Sequence, residues 1–137
     1  MRPISEFASR LLPGYDFVSD PTRSNDGDGR DNNAIDPGDW SQAGECGPGS
    51  PAKDSTWHGT HVTGIIAATG NNSSGIAGIN WFTRILPVRV LKKCGGDVSD
   101  IIDGMLWAAG IAVPGVPTNP HPAQIINMSL GTQAGRM

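Results

Sequence analysis

The sequence has few charged residues, few aromatic residues and no long apolar run, and these shortages exclude several classes of protein. Charged residues make up 17% of the 137 residues and the net charge at pH 7 is −3. We therefore expect neither a nucleic-acid partner nor a membrane partner, since both need a basic surface. No apolar run approaches the roughly 20 residues that cross a bilayer. The basic and then apolar start of a signal peptide is also missing, so no leader is expected within these residues.

Cysteine is scarce too, because Cys46 and Cys94 are the only two. Two cysteines can form a disulfide, half of a metal site or two free thiols. Each lies in a glycine-rich stretch rather than among the apolar residues typical of buried thiols, which favours a disulfide. In the chain-entropy model such a bridge is worth about 4 kcal/mol. It would indicate an oxidising compartment, and we expect a secreted protein.

Glycine and proline are abundant, with 19 and 11 residues, which indicates many loops or a piece of a larger protein. Residues 1–10 have no helical or strand periodicity. We interpret them as vector-derived or disordered, with a native flexible terminus as the alternative, ahead of a partial domain over residues 11–137. A long loop rich in Asp, Asn, Gly and Pro is expected from Asp20 to Pro51, and loops of that length are often functional.

The apolar pattern predicts strands and helices in alternation. Strands are predicted at Leu11 to Val18, Arg84 to Leu91 and Gln124 to Leu130, and helices at Gly59 to Ala68 and Ser99 to Ala109. The first helix is expected to be buried nearly all round. The second should begin at Ser99 or Asp100 and stop at Gly110. A strand, a helix and a second strand in this order predict a parallel pair and an α/β layer fold.

The most specific motif is Trp-His-Gly-Thr-His-Val-Thr-Gly at residues 57–64. It resembles the histidine motif of the subtilase family of serine proteases, in which the first histidine is the general base. The resemblance gives that role to His58, and His61 is expected to be structural. A helix N-terminus carries a partial positive charge, which favours a neutral imidazole that can accept a proton.

Two further blocks are similar to the same family. Gln-Ile-Ile-Asn-Met-Ser-Leu-Gly at residues 124–131 resembles the strand that forms one wall of the substrate cleft, which implies peptide contacts by Ser129, Leu130 and Gly131. The block from Leu86 to Trp107 resembles the next strand, loop and helix. There Gly95 and Gly96 would present backbone groups to an extended peptide.

The resemblance covers roughly Leu11 to Leu130 and is strongest to secreted bacterial subtilases. It implies a three-layer α/β sandwich with a parallel sheet, present here in part, and an endopeptidase that cleaves proteins or peptides. We expect the full-length parent to be a monomer.

Two elements of the family's Asp-His-Ser triad do not occur in these residues. We find neither an Asp-Thr/Ser-Gly turn before the histidine nor the Gly-Thr-Ser-Met-Ala motif of the nucleophile. In subtilisin, loss of the nucleophilic serine lowers kcat about 10⁶-fold. We therefore interpret the chain as an internal fragment that is inactive alone. Asp16 lacks the family's turn and is not expected to orient His58.

A structural calcium ion is expected in the acidic loop. Carboxylates that alternate with glycine can converge on a cation that takes six to eight oxygen ligands. The preferred ligands are Asp26, Asp28, Asp31 and Asp36, and a solvated acidic loop is the alternative. The family resemblance implies a second, partial calcium site at residues 71–76, where Asn72 would give its amide oxygen.

Two other functions remain open at this point. His58, His61, Cys46 and Cys94 have the side-chain types of a zinc site, although no Cys-x₂₋₄-Cys pair accompanies them. The chain could also be a calcium-binding fragment without catalysis, or an inactive homologue.

Overall fold

The computed structural model describes Met1 and residues 4–131. Its regular elements are a 3₁₀ helix at Ala8–Arg10, strand β1 at Tyr15–Asp16, helix α1 at His58–Ala67, strand β2 at Val88–Arg89 and helix α2 at Val98–Ala108. Strands and helices alternate along the chain as predicted. Within the described residues no helix is both long enough and apolar enough to cross a membrane.

The two strands form a parallel pair. Tyr15 lies opposite Val88 and Asp16 opposite Arg89, and an isolated parallel bridge joins Leu11 to Ile85. The hydrogen bonds from Leu12 N–H to the Ile85 oxygen and from Phe17 N–H to the Arg89 oxygen are both 2.8 Å long. The first two predicted strand runs therefore pair with each other, which confirms the α/β class.

The third predicted strand is wrong for the described part of the chain. Residues 124–130 belong to no strand there, and the Ile125 side chain is 88% exposed. Alternating apolar residues favour an extended conformation, but a strand also needs a hydrogen-bonding neighbour. The described residues supply none beside this segment. The parallel pair is β1 with β2, and not β2 with residues 124–130.

An aromatic cluster joins the sheet to α2. The Tyr15 and Phe17 ring centroids are 5.0 Å apart and both rings contact Trp107. Helix and sheet approach closely at Gly104, where an added Cβ would lie 2.6 Å from Val90 Cγ1. The buried residues of α2 are Asp100, Gly104, Trp107 and Ala108.

The ends of α2 agree only partly with the sequence prediction. The residue before the first turn is Asp97 rather than Ser99 or Asp100. Asp100 lies within the first turn, and its buried carboxylate accepts hydrogen bonds from the Ser19 N–H and from Arg30. The predicted stop is confirmed. Gly110 follows the helix with a φ of 82°, which glycine adopts at little cost.

The N-terminal segment is packed against the rest of the chain. Phe7 is fully buried, and the Arg10 guanidinium donates hydrogen bonds to the backbone oxygens of Glu6, Ala67 and Thr83. The interpretation of residues 1–10 as vector-derived or disordered stays a prediction. The division of the chain at residue 10 stays a prediction.

Candidate active site

His58 stands at the start of α1 with its side chain exposed. The residues of α1 that face the interior are Thr60, Thr63, Gly64 and Ala67. Ile65 is 59% exposed, so the expectation of a helix buried nearly all round is wrong. The buried residues follow one face at helical spacing, and His58 lies outside that face.

A cleft of 1320 Å³ brings His58 together with most of the predicted substrate-binding residues. His58, Gly95, Ser129 and Leu130 all line it, and much of the remaining lining is apolar. Gly96 and Gly131 are neighbours of lining residues without lining the cleft themselves. His61 does not line it either, and this separates the two histidines as the sequence motif implies.

Residues 92–96 form what we call the first edge of the cleft. An antiparallel bridge between Lys92 and Gly95 closes a tight turn, and Cys94 and Gly95 both have positive φ, 66° and 111°. Gly95 therefore stands where glycine fits best. Three residues of this turn line the cleft: Lys92, Cys94 and Gly95.

A disulfide between Cys46 and Cys94 ties the first edge to the long loop, with a Cα–Cα distance of 5.3 Å. The disulfide prediction is confirmed. An ion pair of 2.9 Å between Lys93 and Glu45 lies beside the bridge. Because both sulfurs are bonded to each other, the zinc alternative loses two of its four ligands and is wrong.

Residues 124–131 form the second edge. Its side chains are largely exposed, and one contact within it is a 3.1 Å hydrogen bond from the Asn127 amide to the Ser129 hydroxyl. Leu130 is partly buried, whereas a Cβ added to Gly131 would meet only open space. The second edge borders the cleft, and among residues 4–131 no strand lies beside it.

An arginine joins the acidic loop to the sheet. Arg89 donates hydrogen bonds to the carboxylates of Asp16 and Asp26 and to the Ser24 oxygen. The Asp31 backbone pairs with that of Asp16. Asp16 is 1% exposed, so the loop is held to the sheet by a buried ionic contact.

Asp28 is exposed and lies close enough to Asp26 and Asp31 to feel their charges. Partial loss of hydration raises the pKa of the Asp28 carboxyl, and the charges of Asp26 and Asp31 raise it further. Asp36 accepts a 2.8 Å hydrogen bond from the Gly38 N–H. Across Met1 and residues 4–131, no three His, Cys, Asp or Glu side chains are arranged to hold a metal ion. The calcium site at these four aspartates therefore stays a prediction.

The second predicted calcium locus has a partner that the sequence did not reveal. Glu6 accepts a 3.0 Å hydrogen bond from the Asn72 side-chain amide, and its Oε1 would lie 2.9 Å from a Cβ added to Gly75. Residues 70–77 line a separate cavity of 330 Å³. A carboxylate, an amide and loop carbonyls are suitable donors for calcium.

Asp16 is excluded as a partner of His58, as expected from the sequence. Its carboxylate contacts Arg89 and the Val18 N–H. Burial raises its pKa to about 6, against the lowering effect of the Val18 N–H and of Arg89. The Asp16 carboxylate therefore has a structural role beside the sheet.

Comparison with known proteins agrees with this geometry. The family model described as "Subtilase family" matches residues 15–136. An extracellular protease of Xanthomonas campestris is 54% identical over 127 residues, which are 93% of this chain and 22% of that protein. An extracellular basic protease of Dichelobacter nodosus is 54% identical over 129 residues, which are 91% of this chain and 21% of that protein.

The fold agrees with a solved structure as well. Superposition on a protease of Pseudoalteromonas arctica gives a TM-score of 0.90 with 52% identity, over 94% of this chain and 38% of that chain. The subtilisin-like α/β fold expected from the motifs is thereby confirmed. The chain spans about a fifth of the length of the two curated relatives. A family match over most of the chain, near relatives among bacterial proteases and a shared fold together establish that this chain belongs to the subtilase family.

Proposed function

We propose that this chain is part of a serine endopeptidase in which His58 is the general base. The observation that carries the proposal is that His58 lines the same cleft as Gly95, Ser129 and Leu130. An extended peptide that lies between the two edges would pass the imidazole. A base must come within hydrogen-bond reach of the proton that it removes, and the exposed position of His58 permits this.

The chemistry follows from the family triad. His58 would take the proton from a serine hydroxyl as that oxygen attacks the peptide carbonyl, and would then give the proton to the leaving amine. The sequence of 137 residues has no Gly-Thr-Ser-Met-Ala motif to supply the serine. We therefore expect these residues alone to leave a chromogenic peptide uncleaved.

A chimera tests the role of His58. The aligned segment of the Pseudoalteromonas arctica protease is replaced by this chain, and hydrolysis of a chromogenic peptide is measured. The chimera should hydrolyse the peptide, His58→Ala should lower kcat by about 10⁶-fold as in subtilisin, and His61→Ala should retain most activity. A folded chimera without activity would instead favour an inactive homologue.

We also propose a structural calcium ion at Glu6, Asn72 and the carbonyls of residues 70–76. The cavity beside this loop and the nearness of the Glu6 carboxylate to the Asn72 side chain support it. The Asn72 NH2 group now donates to Glu6 and its oxygen accepts from the Ser74 N–H, so the amide would have to turn over to bind the ion. A cation that binds only the folded state raises the unfolding temperature. Calcium should therefore stabilise the wild-type chain and the Asp28→Asn control, but not Asn72→Ala. Equal stabilisation of all three would contradict this locus.

An extracellular location is supported by the disulfide and by relatives that are named extracellular proteases. Protein substrates follow from the proposed activity. Recovery of the protein from the culture medium, with Cys46 and Cys94 joined, would test the location.

A further inference from the structure

The carboxylate of Asp39 makes two contacts with the residue that lies two positions before His58. Its Oδ1 accepts a hydrogen bond of 2.6 Å from the Thr56 N–H, and its Oδ2 accepts one of 2.9 Å from the Thr56 hydroxyl. Hydrogen bonds to an ionised carboxylate are stronger than neutral ones. Both oxygens of Asp39 are thus used to fix the chain just ahead of α1.

Asp39 is itself held on both sides. The Asn25 side-chain amide donates to the backbone oxygens of Gly38 and Trp40, at 2.9 Å and 3.1 Å. Asn25 has a φ of 68°, a conformation that asparagine adopts more readily than most residues. These two hydrogen bonds hold the backbone of the long loop in place on both sides of Asp39.

Between Thr56 and His58, Trp57 has an unusual conformation. Its φ is 51°, which is rare for a bulky residue and persists only where the surroundings fix it. Gly38 leaves the room that this turn needs. A Cβ at Gly38 would lie 2.4 Å from the Ser55 hydroxyl oxygen and 3.1 Å from Trp57 Cη2.

These contacts join the long loop to the first residue of α1. Asp39, Thr56 and His58 all line the same cleft. Any rotation of the backbone at Thr56 would turn Trp57 and change the direction in which the His58 side chain projects from the start of the helix. The Asp39 carboxylate opposes this rotation by holding both the N–H and the hydroxyl of Thr56.

We propose that Asp39 is a positioning residue that sets the orientation of His58 through Thr56 and Trp57. Its relevance to peptide hydrolysis rests on the proposed function, whereas its effect on the imidazole does not. The long loop then has a role in the active site that differs from the calcium binding predicted from its acidic residues.

The test measures the His58 imidazole directly in the 137-residue chain. The ¹³C and ¹⁵N ring resonances are recorded at about pH 8.5, where an ordinary imidazole is neutral, for wild type, Asp39→Asn and Asp54→Asn. Asp54 also lines the cleft, and its substitution removes the same charge. Thr56→Val and Thr56→Ser form a second pair that leaves the net charge unchanged.

The proposal expects Asp39→Asn and Thr56→Val to shift or broaden the His58 resonances, with Asp54→Asn and Thr56→Ser close to wild type. Equal shifts in the two aspartate variants, together with equal shifts in the two threonine variants, would overturn it. If Asp39→Asn does not fold, the threonine pair alone decides. The same His58 response in a chimera that cleaves no peptide would leave this inference intact and contradict only the proposed function.

Discussion

The two edges of the cleft differ in how they are held. The first edge is joined to the long loop by a disulfide and an ion pair, and it closes its own turn through Lys92 and Gly95. The second edge consists largely of exposed residues, and no strand lies beside it in the described part of the chain. The first edge therefore acquires its order from covalent, ionic and local hydrogen-bonding contacts, whereas an extended apolar segment depends on neighbouring structure.

The buried ion pair between Arg89 and Asp16 should be the most sensitive contact among those described. Arg89→Met would leave the Asp16 carboxylate buried without its cation, and breaking a buried ion pair costs about 3–5 kcal/mol. Urea unfolding should show a loss of this size. Arg84→Met is the control, because Arg84 is exposed and should change stability by less than about 0.5 kcal/mol. Equal effects of the two variants would contradict the buried contact.

Loss of the disulfide should make the backbone of the first edge as weakly ordered as that of the second edge. Replacement of Cys46 and Cys94 by alanine removes the loop closure, which is worth about 4 kcal/mol in the chain-entropy model. Amide exchange at Gly95 should then approach the rate at Gly131. Lys93→Met removes only the partly exposed ion pair and should cost about 1 kcal/mol or less. Slow amide exchange at Gly95 in the double variant would show that the turn stays ordered without the disulfide.

The raised pKa of Asp16 predicts that the stability of the folded chain depends on pH. The folded carboxyl has a pKa of about 6, above its ordinary value of 3.8, so the folded state binds this proton more tightly. The stabilisation is complete below about pH 3.8 and is lost as the pH rises through about 6. Two pKa units correspond to about 3 kcal/mol.

Asp16→Asn isolates this contribution. The free energy of unfolding of wild type, minus that of the variant, should fall between pH 4 and pH 7. A constant difference over this range would show that Asp16 keeps an ordinary pKa in the folded chain.

The smallest effect is expected at the second edge. The Ile125 side chain is 88% exposed, so Ile125→Thr should change the free energy of unfolding by less than about 0.5 kcal/mol. Val90→Thr is the matched control, because Val90 packs against the aromatic core. A large loss for Ile125→Thr would mean that this edge is packed in solution.

Local sequence patterns predicted the parts of the site that depend on neighbouring residues. His58 and the start of α1 follow from one motif of eight residues, and the glycine-rich surroundings of Cys46 and Cys94 indicated the bridge. The contacts of Glu6 with Asn72, of Asp39 with Thr56 and of Arg89 with Asp16 join residues that are 66, 17 and 73 positions apart. No local pattern records such pairings.

The dependence on distant residues also limits two other predictions, the untested calcium site of the acidic loop and the wrong strand at residues 124–130. Alternating acids and glycines in the loop are compatible with calcium, but whether a carboxylate faces a metal ion or an arginine depends on distant residues. The alternation at 124–130 is equally compatible with a strand, and only a neighbouring strand could complete it.

The most direct test of the account is where a peptide binds. A short apolar peptide is titrated into the ¹⁵N-labelled chain, and amide shifts are followed by NMR. Binding beside His58 predicts shifts at Gly95 and Gly96 on one edge and at Ser129, Leu130 and Gly131 on the other, together with the His58 ring. Saturable shifts confined to other surfaces, with both edges and His58 unchanged, would contradict it.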